Sequence, residues 1–140
     1  MPFSEKDKQI FFLSIRLMIC VGHADGYINQ KEINRIYQMV EKEHFTLRER
    51  QILMNDIDEP KQPEAIIEDL VLLSRVEKLT ILRQLYQMAI ADRNLKESEC
   101  IQIRKIADLL EIDQAKQLEV EEWIMEGVAW RDRWKQIVGE

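Results

Sequence analysis

The stretch QIFFLSIRLMICVGHADGYINQKE, residues 9–32, decides the fold. Its apolar side chains Phe12, Ile15, Met18 and Ile19 return at three- and four-residue steps, the period of one face of a helix and not the alternation of a strand. Asp25-Gly26 is a dipeptide favoured in tight hairpins, but the helical stepping before it rules the hairpin out. Asn29 followed by Glu32 is a capping box: the Asn side chain takes a first-turn amide and the Glu reaches back to the Asn amide. The stretch therefore reads as helix, loop, helix.

The same signals recur outward from it. Ser4 caps a first helix running to about Gly22, and Asn29 opens a second that runs to about Glu43. Thr46 with Glu49 caps a third that ends near Asp58, and Pro63 suits the first turn of a short fourth, to about 72. Ser74 with Glu77 starts a fifth helix to about Ala91, a sixth spans about Glu97 to Leu110, and Asp113 caps a long seventh to about Ile137. With only four glycines and three prolines to interrupt 140 residues, the prediction is an all-α bundle of about seven helices forming a single domain over residues 1–140.

Composition narrows the partners. A net charge of -6 sets the chain against phosphate backbones, so no nucleic acid is expected. Cys20 and Cys100 sit inside apolar helical patterns without a CxxC spacing, as buried free thiols of a reducing compartment do. The first residues mix charges where a signal peptide is basic. The apolar run from Ile10 to Val21 contains Arg16 and falls short of the roughly 20 residues that span a bilayer. The expected location is the cytoplasm, with no direct membrane insertion.

An internal repeat underlies the helix pattern. An offset of 67 (92 minus 25) lays Asp92 on Asp25, Ala91 on Ala24, Glu99 on Glu32 and Ile103 on Ile36. It also pairs Phe12, Ile15, Met18 and Val21 with Leu79, Leu82, Leu85 and Met88, and the cap Thr46 with Asp113. The predicted architecture is two halves, about 5–58 and 74–137, related by a pseudo-twofold and joined by a connector helix over about 63–72.

Each half thus carries an Asp just past a long helix and a Glu in the first turn of the next. Clustered carboxylates raise one another's pKa unless a cation or hydrogen-bond donors compensate them, which makes Asp25, Glu32, Asp92 and Glu99 candidate ligands of a hard divalent ion. Asp25, Gly26, Ile28 and Glu32 match the back half of an EF-hand loop, but Val21 and His23 stand where its first two ligands belong, so a complete EF-hand is excluded. The competing reading needs no metal: Glu32 completes the cap at Asn29, and Asp25 closes its loop through local amides. Lys96 is a poor cap, which favours a further role for Glu99. His23 is read as a helix-end residue, and His44 is assigned no role. No nucleophile motif or phosphate loop occurs, and no enzyme is predicted.

The last helix carries Trp123, Gly127, Trp130, Trp134 and Ile137 as one stripe. Core packing is the default expectation for it. The alternative is that Trp130 and Trp134 dock a partner protein or a second subunit in a homodimer. The neighbouring Glu119, Glu121 and Glu122 are expected to form a solvated face.

The segments HADGYINQKE (23–32) and AIADRNLKESE (89–99) resemble the paired signatures of the tellurite resistance TerB-like domain family, and the resemblance extends over about residues 8–125. It implies an internally duplicated all-helical domain of tellurite-resistance and stress-response systems, found also in membrane-anchored J-domain co-chaperones. It implies metal held by Asp25, Glu32, Asp92 and Glu99, with Ca, Mg or Mn favoured over Zn, and contacts with other proteins, integral membrane proteins included. Arg93 stands where the first copy has Gly26, and its charge can neutralise the second acid pair without an ion. Two functional expectations follow: a metal-binding interaction module, or a metal-free scaffold or co-chaperone-like domain that binds through its last helix.

Overall fold

A computed structural model describes residues 5–24, 26, 28–67, 73–90 and 96–139. Among these, seven α-helices and no strand are found: α1 Glu5–Gly22, α2 Gln30–Glu41, α3 Leu47–Asp58, α4 Pro63–Ile67, α5 Arg75–Ala89, α6 Glu97–Leu109 and α7 Gln114–Val138. The expected all-α bundle is what the chain forms. The second helix ends two residues short of expectation, and the caps place most of the starts. Asn29, Thr46 and Ser74 each accept the amide three residues on while the Glu at that position bonds back, and Asp113 accepts from the Lys116 amide. Ser4, residues 68–72 and Ala91, to which three of the predicted ends extended, lie outside the described residues.

The bundle is organised about α1 and α5. Helix α1 packs on α2, α3, α4, α5 and α6, and α5 packs in turn on α6 and α7. From Ser14 to Gly22 every residue of α1 except Arg16 is buried, so its second half is enclosed on all sides. Ile81, Leu82, Leu85, Tyr86, Met88 and Ala89 are its buried counterparts on α5. The α2–α3 loop is pinned to α1 by Phe45, which stacks on Phe11 with ring centroids 6.1 Å apart and meets Phe12 at 5.7 Å.

The turn into α7 has a backbone demand of its own. Glu111 takes φ 61°, and its amide reaches Asp108 O while that of Ile112 reaches Ala107 O, the paired bonds of a left-handed helix C-terminus. The buried Gln117 amide then ties α7 to this turn by donating to Ile112 O at 2.7 Å and Asp108 Oδ1 at 2.8 Å.

Two stability predictions follow from this packing. Leu82→Ala, at a fully buried site on the central pair, is expected to cost about 2–5 kcal/mol in urea unfolding. Glu111→Gly is expected to gain about 1 kcal/mol, because glycine holds the left-handed conformation without the side-chain penalty.

Candidate functional site

Helix propensity and capping set where the candidate acids fall. Glu32 and Glu99 both occupy the third position of their helices, α2 and α6, and both are 7% exposed. Glu32 Oε1 accepts from the Asn29 amide at 3.4 Å, and Asn29 Oδ1 accepts from the Glu32 amide at 2.9 Å. Glu99 Oε1 accepts from the Lys96 amide at the same 3.4 Å, although the Lys96 side chain makes no cap hydrogen bond. Each carboxylate also lies in the first turn of its own helix, the end where the helix dipole accommodates an acidic side chain.

Helix α1 ends against the first of these acids. A Cβ added at Gly22 would lie 2.9 Å from two side-chain carbons of Ile28 and 3.2 Å from Glu32 Oε2. A side chain at 22 would therefore have to push the Ile28 side chain aside, and glycine leaves room for that close approach. Asp25 and Asp92, the other two predicted ligands, lie outside the described residues, as does Arg93. Among the described residues no group of three or more His, Cys, Asp or Glu side chains is arranged to hold a metal ion.

Sequence reasoning missed two polar clusters, one buried between α1 and α3 and one at the partly exposed junction of α5, α6 and α7. Asp56 on α3, 2% exposed, takes Arg16 Nε at 2.7 Å on one oxygen and Arg16 Nη2 at 3.3 Å on the other, with Lys61 Nζ at 3.7 Å. This fork neutralises the one charge on the enclosed face of α1 and ties that helix to α3. His23, just past α1, is half-buried and not solvent-facing, and its Nε2 donates to the Asp56 carbonyl at 3.2 Å.

The second cluster centres on Glu121 of α7. It accepts from Arg104 Nη2 at 2.7 Å and Nε at 3.3 Å, from Tyr86 Oη at 3.2 Å and from Cys100 Sγ at 3.7 Å. Glu121 was expected on a solvated face with Glu119 and Glu122, and instead it is the joint between α5, α6 and α7. The guanidinium of Arg104 holds its carboxyl below the usual range. Burial raises the Tyr86 hydroxyl and the Cys100 thiol, and the Glu121 charge adds to both. Burial likewise raises the Cys20 thiol, which accepts from Gln102 Nε2 at 3.2 Å. The two cysteines are free and buried, as the sequence indicated.

The tryptophan stripe corrects a further expectation. Trp123 is 54% exposed, Trp130 81% and Trp134 62%, so the core-packing default fails. Only Gln117 and Ile124 of α7 are buried, because the α1–α5 core closes over the first three turns and leaves no apolar wall for the rest. Trp130, Arg131, Arg133, Trp134 and Ile137 border a shallow apolar cleft, and a second of about 440 Å³ runs over Gly127 between Trp123 and Trp130 toward Ile90.

The architecture is thus a helical bundle with two buried capping glutamates, two ion clusters between helices and one bare aromatic edge. The chain belongs to DUF533, a protein family of unknown function, whose family model matches residues 4–121. No curated protein and no solved structure matches it. The match ends at residue 121, before Trp123. No helix among the described residues is long and apolar enough to cross a membrane.

Both clusters generate predictions. Asp56→Ala leaves Arg16 without its carboxylate at an enclosed site and is expected to cost about 3–5 kcal/mol. Glu121 has a depressed folded pKa, so its stabilisation is complete above its ordinary value of 4.5 and is lost as pH falls through the folded value. Urea unfolding from about pH 7 to about pH 3 is expected to show a shallower acid loss in Glu121→Gln than in wild type.

Proposed function

We propose that this chain is a non-enzymatic protein-interaction module of the TerB-like kind, acting in the cytoplasm, with the exposed aromatic stripe of α7 as its binding element. The observation that carries the reading is that three tryptophans stand more than half exposed on one helix. Tryptophan is enriched among residues that dominate binding energy, and so large an apolar edge is unusual on a chain without partners. Two of its carboxylates are engaged within the fold: Glu121 with Arg104, Tyr86 and Cys100, and the buried Asp56 with Arg16. Burial raises both thiols, the reverse of what a nucleophile needs.

Duplication is part of the proposal. Helices α2 and α6 begin 67 residues apart (97 minus 30), as do α3 and α7 (114 minus 47). The same offset pairs the buried Ile15 with Leu82, Ile36 with Ile103, Phe45 with Ile112, and Glu32 with Glu99. Tellurite resistance or a related stress response is the setting that the TerB-like resemblance suggests. A membrane protein is among the partners it admits.

A second reading keeps the cation. Glu32 and Glu99 occupy matching, nearly enclosed positions, which favours a divalent ion shared with Asp25 and Asp92. The capping bonds of both glutamates favour the metal-free form instead. Thermal melting with calcium, magnesium, manganese or zinc separates the two. An ion-dependent rise in midpoint that disappears in Asp25→Asn with Glu99→Gln supports the metal, and an unchanged midpoint with every ion removes it.

For the interaction reading, wild type and a Trp130→Ala, Trp134→Ala variant are compared as immobilised bait in lysate of the source organism, with circular dichroism as the control for folding. Loss of most captured protein in a variant that keeps its helical signal is expected. Undiminished capture would overturn the assignment of the stripe.

A further inference from the structure

The exposed stripe has the spacing of a seam. Val120, Trp123, Gly127, Trp130, Trp134 and Ile137 follow at steps of three, four, three, four and three, the 3.5-residue repeat by which two helices keep one face in contact. Charge along the helix is segregated. Four glutamates and no cation lie between 119 and 126, whereas Arg131, Arg133 and Lys135 with a single aspartate lie between 131 and 135. Gly127 interrupts the row of rings, and nothing lies within 4 Å of a Cβ placed there.

From this arrangement we infer that α7 pairs antiparallel with α7 of a second copy of this chain, about a twofold axis midway between Gly127 and Trp130. The inference rests on the reading of the stripe as the binding element. In this register Trp130 of each chain covers Gly127 of the other, so the largest side chain meets the position with none. Trp123 meets the second copy's Trp134, and Val120 meets its Ile137. A twofold axis across the helices sets each flank of the seam against itself. Glu126 then faces Arg133 of the second copy, and the pair occurs twice.

A parallel pair would stack Gly127 on Gly127 and bring the four glutamates of each chain together. The opposite flank of the seam holds Ile124, which is buried in its own core, so the open flank is the one that carries Glu126 and Arg133. At about 200 Å² for a whole tryptophan side chain, the exposed fractions leave roughly 400 Å² of ring per chain. Two chains offer about 800 Å² from these rings, and Val120, Ile137, Val138 and the Glu126–Arg133 flanks supply the remainder toward the roughly 1,200 Å² at which specific interfaces begin. An anionic lipid surface would suit the tryptophans and arginines, but the glutamates beside Trp123 on the same seam oppose it.

Sedimentation of the full chain over about 1–100 µM tests the pairing. Wild type is expected to pass from monomer to dimer. Glu126→Arg alone and Arg133→Glu alone are each expected to weaken association by about tenfold or more, because like charges then face each other twice. The double variant, and an equimolar mixture of the two single variants, are expected to restore it. Gly127→Leu meets open space in the single chain, so it is expected to fold normally and yet to dimerise poorly. A monomer throughout this range, or a dimer indifferent to Glu126→Arg and Gly127→Leu, overturns the proposal. So does binding to vesicles of phosphatidylglycerol and phosphatidylcholine by a chain that does not self-associate. If the chain is monomeric while the double tryptophan variant still loses captured protein, self-pairing falls and the interaction module stands. If capture is undiminished as well, both fall.

Discussion

Everything in this fold leans on the contact between α1 and α5. These two helices carry most of the fully buried side chains, among them Ile15, Leu17 and Ile19 on one and Ile81, Leu82 and Leu85 on the other. Enclosing a helix on all sides has an electrostatic consequence. Arg16, the single charge on the buried stretch of α1, must bring a counter-charge with it, and Asp56 supplies one across the α1–α3 interface. On the α5 side, Glu121 does the corresponding work for the Tyr86 hydroxyl and fastens α7 to α5 and α6. The hydrophobic pair sets the arrangement, and these two ion clusters fix how α3 and α7 sit against it.

The helices were legible because their signals are local. Asn29, Thr46, Ser74 and Asp113 each announce a helix through a bond to an amide three residues away, and all four bonds are made. The cap on Ser4 falls outside the described residues. Contacts of long sequence separation could not be read in this way. Arg16 and Asp56 are 40 residues apart and Tyr86 and Glu121 are 35, and nothing in a single sequence links such positions. An arginine inside an apolar run was the one available hint that a buried acid had to exist. Glu121 was misread because two neighbouring glutamates on the same helix suggested a uniform polar face. Only its alignment over Tyr86 and Arg104 distinguishes it from Glu122, which is exposed.

Periodicity also explains the error over the tryptophans. A repeat of apolar residues says that one face of a helix avoids water, and not what covers that face. The first half of α7 is covered by its own chain through Gln117 and Ile124, and no residue of α7 after Ile124 is buried. The acids of the repeated motif show a parallel ambiguity. Position three of a helix is where a capping glutamate belongs and also where a ligand would stand, and Glu32 and Glu99 satisfy the first role by the bonds they make. Their near-complete burial is what local sequence could not show, and it separates them from a partly exposed capping glutamate such as Glu77.

The central claim is that the core is complete without the second half of α7, whose exposed tryptophans are the proposed binding element. Amide hydrogen exchange in a dilute solution, at a concentration where sedimentation finds single chains, tests this most directly. Amides of residues 15–21 and 81–88 are expected to exchange last, at the rate set by global unfolding, and those of residues 126–138 orders of magnitude sooner. Protection of residues 126–138 equal to that of the central pair in the single chain would contradict the account, because it would place the tryptophan helix inside the cooperative core.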